Sequence, residues 1–347
     1  MKHRWVFSVD GLAMFTLFYF LSLFFVHSSS GAERTGPFRQ FLLNRMEQKN
    51  RSMILAAEKM TLKCAGRERT YYVHVPVSWN HKDALPVVFL FHGGMGNAKQ
   101  ALQSYGLISK SDEAGFLLVA PNGTGPSREV MLTWNVGFGF GKAQKDHVDD
   151  IGFVKAVLDD IEKRYPIDSR RIFATGMSNG AFLCHFLAAQ PGNRFAAIAP
   201  VVGAIGGKET KNKELTLPSQ PLEPVSVMLI NGLLDEHIPY EGGLQKKSVA
   251  EARFMASASD TVRFWIEADH CNASFTHRYD AKLKATVQTF TQGNNGTEVI
   301  LYLLHNQGHA WPGAQALGRA FGDTPSSDFP GNELIWEFFK AHPRSEN

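Results

Sequence analysis

Short apolar runs of strand length alternate with apolar residues at helical spacing along most of the chain. Residues 154–161 carry apolar side chains on one helical face, 181–190 form an apolar helix-like stretch, and 334–340 predict a closing helix. The runs predicted as strands are 71–75, 86–91, 116–120, 171–175, 196–201, 225–230 and 299–304. This alternation predicts an α/β fold with a mostly parallel central sheet and helices on both faces. Such sheets bind ligands beyond the carboxyl ends of their strands.

The first residues follow a different pattern. Residues 1–4 are basic, 11–26 are uncharged and rich in Phe and Leu, and small residues follow at 28–32. This order is typical of an export signal, so we expect a leader over 1–32 that is cleaved or, in the alternative, kept as a membrane anchor. The body is then secreted, periplasmic or extracellular, and it contacts a membrane only if the leader is retained.

The rest of the chain predicts one folded domain. Residues 33–59 are polar and basic, which indicates a linker or a short surface helix. The domain is expected over 60–342, followed by a tail over 343–347. With 347 residues, 44% of them hydrophobic, the chain can form a large core.

Charge and motif content exclude several classes of partner. Lys and Arg number 36 and Asp and Glu 33, which leaves a net charge of +3 and indicates no nucleic-acid partner. No zinc-type Cys and His spacing and no Gly-rich phosphate loop occur, so no metal site is predicted. Of the three cysteines, Cys184 is expected as a buried thiol, while a disulfide between Cys64 and Cys271 is left open.

Ser178 lies in a Gly-x-Ser-x-Gly pattern between a predicted strand and a predicted helix. That context is typical of a nucleophile elbow, in which a strained turn exposes the hydroxyl above the sheet. Glycines flank the serine because side chains there would collide with neighbouring backbone. A loop serine beside flexible glycines is the alternative.

A serine nucleophile needs an imidazole to take its proton and a carboxylate to orient that imidazole. Asp235 follows the predicted strand 225–230, and His309 follows the strand 299–304, each in a loop. We therefore predict Ser178, Asp235 and His309 as the catalytic residues. Their rivals are Glu236, expected to face solvent, His305, expected to pack, and the weaker candidates His237, His270 and His277.

The same chemistry needs two backbone N–H groups that stabilise the oxyanion of the tetrahedral intermediate. One is expected from Asn179, directly after the serine, and the other from the Gly-rich loop that follows strand 86–91. Gly94 is the preferred donor in that loop and Met95 the second choice. The spacing of the glycines does not match a dinucleotide-binding loop.

With these residues, the chain resembles the polyhydroxybutyrate depolymerase and feruloyl esterase group of the α/β hydrolases, also grouped as carbohydrate esterase family one. The similarity runs from about Tyr71 to Gly313. The blocks that carry it are 71–76 (YYVHVP), 90–94 (LFHGG), 114–123 (AGFLLVAPNG), 148–153 (VDDIGF), 176–180 (GMSNG) and 308–313 (GHAWPG). In the acid loop the group commonly has His-Gly-Thr-x-Asp-Pro, whereas residues 231–236 are NGLLDE; the Asp is kept and its neighbours differ.

The resemblance implies an α/β-hydrolase fold, secretion, hydrolysis of polyhydroxyalkanoate-type or feruloyl- and acetyl-type esters, and no metal or organic cofactor. Trp134 and Trp311 are candidate substrate contacts, because aromatic faces suit phenolic or sugar groups, with loop packing as the alternative. Asp149 and Asp150 are expected as helix caps. Three other functions stay open: a serine peptidase, an acyltransferase, and a non-catalytic envelope binding protein on the same fold.

Overall fold

The computed structural model describes residues 56–248, 250–272, 275–314 and 323–345. The predicted leader over 1–32 and the linker up to residue 55 lie outside the described residues. All of the described residues belong to one compact unit. Within these ranges, none of the helices combines the length and the apolar character needed to span a bilayer.

The described strands form two sheets. They are β1 Glu58–Cys64, β2 Arg67–His74, β3 Leu85–Phe91, β4 Leu117–Pro121, β5 Ile167–Met177, β6 Ala197–Val201, β7 Gly207–Lys208, β8 Ser226–Gly232, β9 Gly243–Leu244, β10 Phe254–Met255, β11 Phe275–Asp280, β12 Ala285–Phe290 and β13 Val299–Leu304. The main sheet has the order β1-β2-β4-β3-β5-β6-β8-β13-β12-β11, and β7-β10-β9 form a small second sheet.

The centre of the main sheet is parallel. Strands β4, β3, β5, β6, β8 and β13 pair in parallel, whereas β1 and β2 at one edge and β12 and β11 at the other pair antiparallel. The predicted mostly parallel sheet is confirmed. The carboxyl ends of the central strands therefore share one edge, where the loops that follow them meet.

Helices cover both faces of this sheet, as predicted. They are α1 Ala98–Ser104, α2 Leu107–Ala114, α3 Lys142–Lys145, α4 Asp150–Arg164, α5 Asn179–Ala188, α6 Ala258–Asp269 and α7 Gly331–Ala341. Side chains of α4, α5 and α6 share one buried cluster with Val87 and Phe89, while those of α1, α2 and α7 share another with Val88 and Leu90. Successive residues of β3 thus point into opposite cores, which explains its uninterrupted apolar sequence.

Some sequence expectations about local structure differ from the fold. Strand β1 begins at Glu58, inside the segment predicted as a linker. Asp149 caps α4, since its carboxylate accepts the N–H of Gly152 at 2.7 Å. The prediction that Asp150 is a cap was wrong: it is buried and forms an ion pair with Arg69 at 2.6 Å. His305 is exposed rather than packed, because the chain leaves the sheet at Leu304.

The three cysteines are free thiols. Cys184 is fully buried on α5, as predicted, and its burial raises the pKa of its thiol. The disulfide between Cys64 and Cys271 that the sequence left open is not formed.

Candidate active site

Ser178 occupies the sharp turn between β5 and α5. Its backbone has φ 56° and ψ −119°, a conformation that L-residues rarely adopt. The turn is fixed by the Ser178 N–H, which donates to the carbonyl of Val201 on the adjacent strand β6 at 3.0 Å. Non-glycine residues held at such angles store about 1–3 kcal/mol of strain and occur mainly at functional sites. The side chain is only partly buried, so its hydroxyl is reachable from solvent.

The glycines that flank Ser178 are required by close backbone packing. A Cβ on Gly180 would lie 2.7 Å from the carbonyl oxygen of His92, and one on Gly176 would lie 2.8 Å from the carbonyl of Gly180. Real Cβ atoms are not found at such distances from backbone atoms. The Gly-x-Ser-x-Gly pattern is therefore explained by the close packing of this turn against the loop that follows β3.

The structure brings the three predicted side chains into one hydrogen-bonded row. His309 Nε2 lies 2.9 Å from Ser178 Oγ, and His309 Nδ1 lies 2.7 Å from Asp235 Oδ2. A neutral imidazole satisfies both contacts when Nδ1–H donates to the carboxylate and Nε2 accepts from the hydroxyl. Asp235 and His309 are buried, so the row is shielded from water everywhere except at the serine.

The acid loop holds Asp235 through its second oxygen. Asp235 Oδ1 accepts the backbone N–H groups of His237 and Ile238, each at 2.8 Å. The rival carboxylate, Glu236, is half exposed and pairs with Lys247 at 2.6 Å. It faces solvent as expected and does not contact His309.

His237 lies beside the imidazole of His309. The two ring centroids are 4.7 Å apart with an interplanar angle of 35°. Burial is the main cause that lowers the pKa of His237 below its usual value, and the neighbouring His309 lowers it further. Because of this shift, His237 is neutral at pH 7, where a second positive ring would oppose protonation of His309.

Asp323 is a site residue that the sequence analysis missed. Its carboxylate Oδ2 accepts the backbone N–H of His309 at 2.8 Å, and its own N–H donates to the carbonyl of His309 at 3.1 Å. It also packs against Gly308, where a Cβ would lie 2.8 Å from Asp323 Cγ. No local pattern in the sequence marks this carboxylate.

Gly94 and Asn179 present two unused N–H groups beside Ser178. Neither N–H donates to an acceptor in the described part of the chain. A Cβ on Gly94 would lie 3.5 Å from Asn179 Cβ, so the two residues are in contact. The N–H of Met95, the second choice, donates instead to the carbonyl of Leu132 at 2.8 Å, which removes it as an oxyanion donor. Free, fixed N–H groups at this place suit a developing oxyanion.

The prediction that Trp134 contacts substrate is corrected by the structure. Its ring is fully buried, and its Nε1–H donates to the carbonyl of His92 at 2.9 Å. Its backbone N–H donates to Asn179 Oδ1 at 2.7 Å, and Asn179 Nδ2 donates back to its carbonyl at 3.2 Å. Trp134 therefore supports the two loops that carry Gly94 and Asn179 from beneath rather than facing a ligand.

Trp311 is likewise a core residue and not a surface for substrate. Its indole stacks on Tyr105 with the ring centroids 4.6 Å apart and nearly parallel. Its Nε1–H donates to Asn332 Oδ1 at 2.9 Å. The loop that carries His309 is thus attached to α7. Trp134 and Trp311 both pack the loops, which was the alternative to substrate contact.

His92 stabilises the oxyanion loop from inside. Its Nδ1 lies 2.8 Å from the Gly93 carbonyl, and its Nε2 accepts the N–H of Gly123 at 3.0 Å. Burial lowers the pKa of His92 to about 4. The ring is therefore neutral at pH 7, with the proton on Nδ1, and it ties the loop after β3 to the loop after β4.

Within the ranges that the structure describes, no group of three or more His, Cys, Asp or Glu side chains is arranged to hold a metal ion.

Known proteins resemble this chain in sequence and in fold. The family model described as Esterase PHB depolymerase matches residues 70–213. NocK of Nocardia uniformis subsp. tsuyamanensis, classed as an esterase, is 27% identical over 272 residues, which are 72% of each chain. Feruloyl esterase C of Emericella nidulans is 24% identical over 183 residues, which are 51% of this chain and 58% of that enzyme.

The solved structure of sOPH shows the same fold. It aligns with a TM-score of 0.54 at 15% identity and covers 85% of this chain and 90% of that chain. Together these findings confirm the predicted α/β-hydrolase fold and show that the chain is similar in sequence to the Esterase PHB depolymerase family and to feruloyl esterases, a likeness that supports carboxylic ester hydrolysis.

Proposed function

We propose that the protein is an exported serine esterase that works through an acyl-enzyme, with Ser178 as nucleophile, His309 as general base and acid, and Asp235 as the orienting carboxylate. One observation carries the proposal: the continuous row Asp235–His309–Ser178, with contacts of 2.7 and 2.9 Å. Such a row is what activation of a serine hydroxyl at neutral pH requires.

The first half of the reaction forms the acyl-enzyme. His309 Nε2 takes the proton of the Ser178 hydroxyl as Oγ attacks the ester carbonyl. The resulting oxyanion accepts hydrogen bonds from the N–H groups of Gly94 and Asn179, and each such donor is worth about 2.7–4 kcal/mol. His309 then donates its proton to the departing alcohol, and Asp235 stabilises the imidazolium in between.

The second half releases the acid. Water takes the place of the alcohol, His309 removes its proton, and the hydroxide attacks the acyl carbonyl. Collapse of the second tetrahedral intermediate returns the proton to Ser178 Oγ. The partly exposed serine gives water access to the acyl group.

The substrates we propose are the esters of the related enzymes: polyhydroxyalkanoate-type esters, or feruloyl- and acetyl-type esters. The test is a panel of p-nitrophenyl acetate and butyrate, methyl ferulate, hydroxybutyrate oligomers and a peptide anilide. We expect ester turnover without anilide turnover. Hydrolysis of the anilide alone would indicate a peptidase, and no turnover with retained ligand binding would indicate a binding protein.

The role of Ser178 is tested with Ser178→Ala, which is expected to reduce ester turnover to background. Ser169→Ala, an exposed serine at the start of β5, is the matched control and is expected to keep full activity. Unchanged turnover in Ser178→Ala would exclude the mechanism. Export is tested separately, by N-terminal sequencing of the protein recovered outside the cytoplasm, with a start near residue 33 expected.

A further inference from the structure

Arg253 is a buried cation that forms no ion pair with a carboxylate among the described residues. Only 7% of its surface is exposed, and its Nε is enclosed without an acceptor. Neither terminal nitrogen donates to a group in the described part of the chain. Burial lowers the pKa of Arg253 to about 10, while the charge of Glu209 acts in the opposite direction. The guanidinium is therefore charged at pH 7 and has unused donors.

The guanidinium lies next to the candidate active site. Its Cζ is 4.7 Å from the ring centroid of Phe140. The same ring packs against the oxyanion loop, since a Cβ on Gly94 would lie 2.7 Å from Phe140 Cζ. Phe140 is partly exposed. One aromatic ring thus separates the charge of Arg253 from the loop that would receive the ester carbonyl.

The backbone of Arg253 is held rigidly to the acid loop. Arg253 N–H donates to Gln245 Oε1 at 3.2 Å, and the Arg253 carbonyl accepts the N–H of Gln245 at 2.9 Å. Gln245 Nε2 in turn donates to the carbonyl of His237 at 2.6 Å. These contacts fix the backbone of Arg253 beside the acid loop before any ligand binds, which reduces the part of the entropic cost of binding that comes from ordering the backbone.

An unpaired buried charge is costly to a fold, and its donors call for an acceptor that the described residues do not supply. A guanidinium matches the geometry of a carboxylate, to which it can donate two parallel hydrogen bonds. We propose that Arg253 binds a carboxylate of the substrate, so that the enzyme prefers esters carrying a free acid group, such as monoesters of dicarboxylic acids or esters of hydroxy acids. This inference rests on the proposed esterase function.

Matched ester pairs test the preference in the wild-type protein. In the first pair, monoethyl succinate, whose acyl part carries a carboxylate, is compared with its neutral isostere ethyl 4-oxopentanoate. In the second pair, 4-acetoxybutyrate, whose alcohol part carries the carboxylate, is compared with its neutral isostere 5-acetoxypentan-2-one. Acid release is followed by pH-stat titration. In at least one pair we expect kcat/KM to favour the carboxylate by about tenfold to a hundredfold, the range for a hydrogen bond to a charged group.

The variant Arg253→Gln tests whether this residue is responsible. The ratio of kcat/KM within the preferred pair is expected to fall to about one, and Arg253→Lys is expected to keep part of it. Arg263→Gln, an exposed arginine on α6 that pairs with Asp260, is the control and is expected to keep the wild-type ratio. A neutral or reversed preference in both wild-type pairs, or an unchanged ratio in Arg253→Gln, would overturn the proposal.

A binding measurement covers the case in which Arg253→Gln does not fold. Succinate is expected to inhibit hydrolysis of ethyl 4-oxopentanoate by the wild-type protein competitively, and succinamide is not; equal effects would overturn the proposal.

The esterase proposal and the Arg253 proposal fail through different results. If no ester is hydrolysed, the esterase function fails, and succinate binding measured by calorimetry still decides the role of Arg253. If esters are hydrolysed without regard to charge, only the role of Arg253 fails.

Discussion

His309 and Asp323 are joined by two reciprocal hydrogen bonds, one from the His309 N–H to the Asp323 carboxylate at 2.8 Å and one from the Asp323 N–H to the His309 carbonyl at 3.1 Å. The imidazole is therefore oriented at both ends: Asp235 holds its ring and Asp323 holds its backbone. The pair adds to the other contacts of the loop that carries His309, among them the hydrogen bond from Gln307 Nε2 to the carbonyl of Ala310 at 2.9 Å and the stacking of Trp311 on Tyr105.

Removal of the Asp323 carboxylate is expected to impair catalysis through His309. Asp323→Ala leaves the His309 N–H without its acceptor, which costs about 1–3 kcal/mol, so kcat is expected to fall about tenfold or more with little change in KM. Asp323→Asn keeps an acceptor oxygen and is expected to retain most of the activity. Steady-state kinetics on p-nitrophenyl butyrate measure both. Asp328→Ala, at an exposed carboxylate nearby, is the control; an equal loss there would contradict the specific role.

Gly180→Ala is expected to destabilise the protein by about 1–3 kcal/mol or more, because the new methyl group would meet the backbone of Phe91 and His92. Gly192→Ala is the matched control, since a Cβ there meets nothing within 4 Å and the cost is limited to its φ of +64°. Urea unfolding compares the two. Similar midpoints for both variants would show that the elbow can relax without cost.

Stability is expected to decrease as pH rises from about 4 to 7 because of Asp269. Its Oδ1 accepts the N–H of Val225 at 3.0 Å, its Oδ2 is buried without a partner, and burial raises its pKa from 3.8 to about 7. Between these pH values the carboxyl group of Asp269 is ionised in the unfolded chain but still protonated in the folded protein. The stabilisation is therefore complete below pH 3.8 and is lost as pH passes 7.

Asp269→Asn separates this effect from others. The variant stays neutral, so at pH 8 its free energy of unfolding should exceed that of the wild type by up to about 4 kcal/mol, at about 1.4 kcal/mol per pKa unit. At pH 4 the two proteins should be nearly equal. Chemical denaturation at both pH values gives the difference, with the exposed Asp159→Asn as control. A difference that does not depend on pH would refute the assignment.

A permanent charge at position 237 is expected to slow the reaction. His237→Lys places a cation beside His309, which must itself become positive in the transition state, and kcat/KM is expected to fall about tenfold at low salt. His237→Phe keeps a neutral ring and should stay near the wild-type value. The loss in the Lys variant should diminish at higher ionic strength. Equal losses in both variants would mean that the imidazole itself, and not its neutrality, is needed.

Much of the fold and the residues of the hydrogen-bonded row could be predicted, because both depend on short-range patterns. Ser178, Asp235 and His309 each follow an apolar strand, and parallel strands bring such loops to one edge. The antiparallel hairpin of β11 and β12 was missed, since most residues of β11 are exposed and lack apolar alternation.

The contacts around the row could not be predicted, because they depend on how distant segments pack. Nothing near Trp134 or Trp311 in the sequence indicates that Asn179 would bond to the backbone of Trp134 or that Tyr105 would stack on the ring of Trp311. The same holds for Asp323, which is distinguished by its hydrogen bonds to the backbone of His309, and for Arg253, whose buried Nε meets no acceptor among the described residues.

The order of the strands has a consequence for biosynthesis. Ser178 follows β5, near the middle of the chain, but its partner His309 follows β13, the last strand to be made and one that pairs with β8 inside the sheet. A chain emerging from the ribosome therefore carries Ser178 well before His309, the base that we propose for it, has been synthesised. Under the proposed mechanism, ester hydrolysis therefore begins only after residue 309 has been made and β13 has paired with β8.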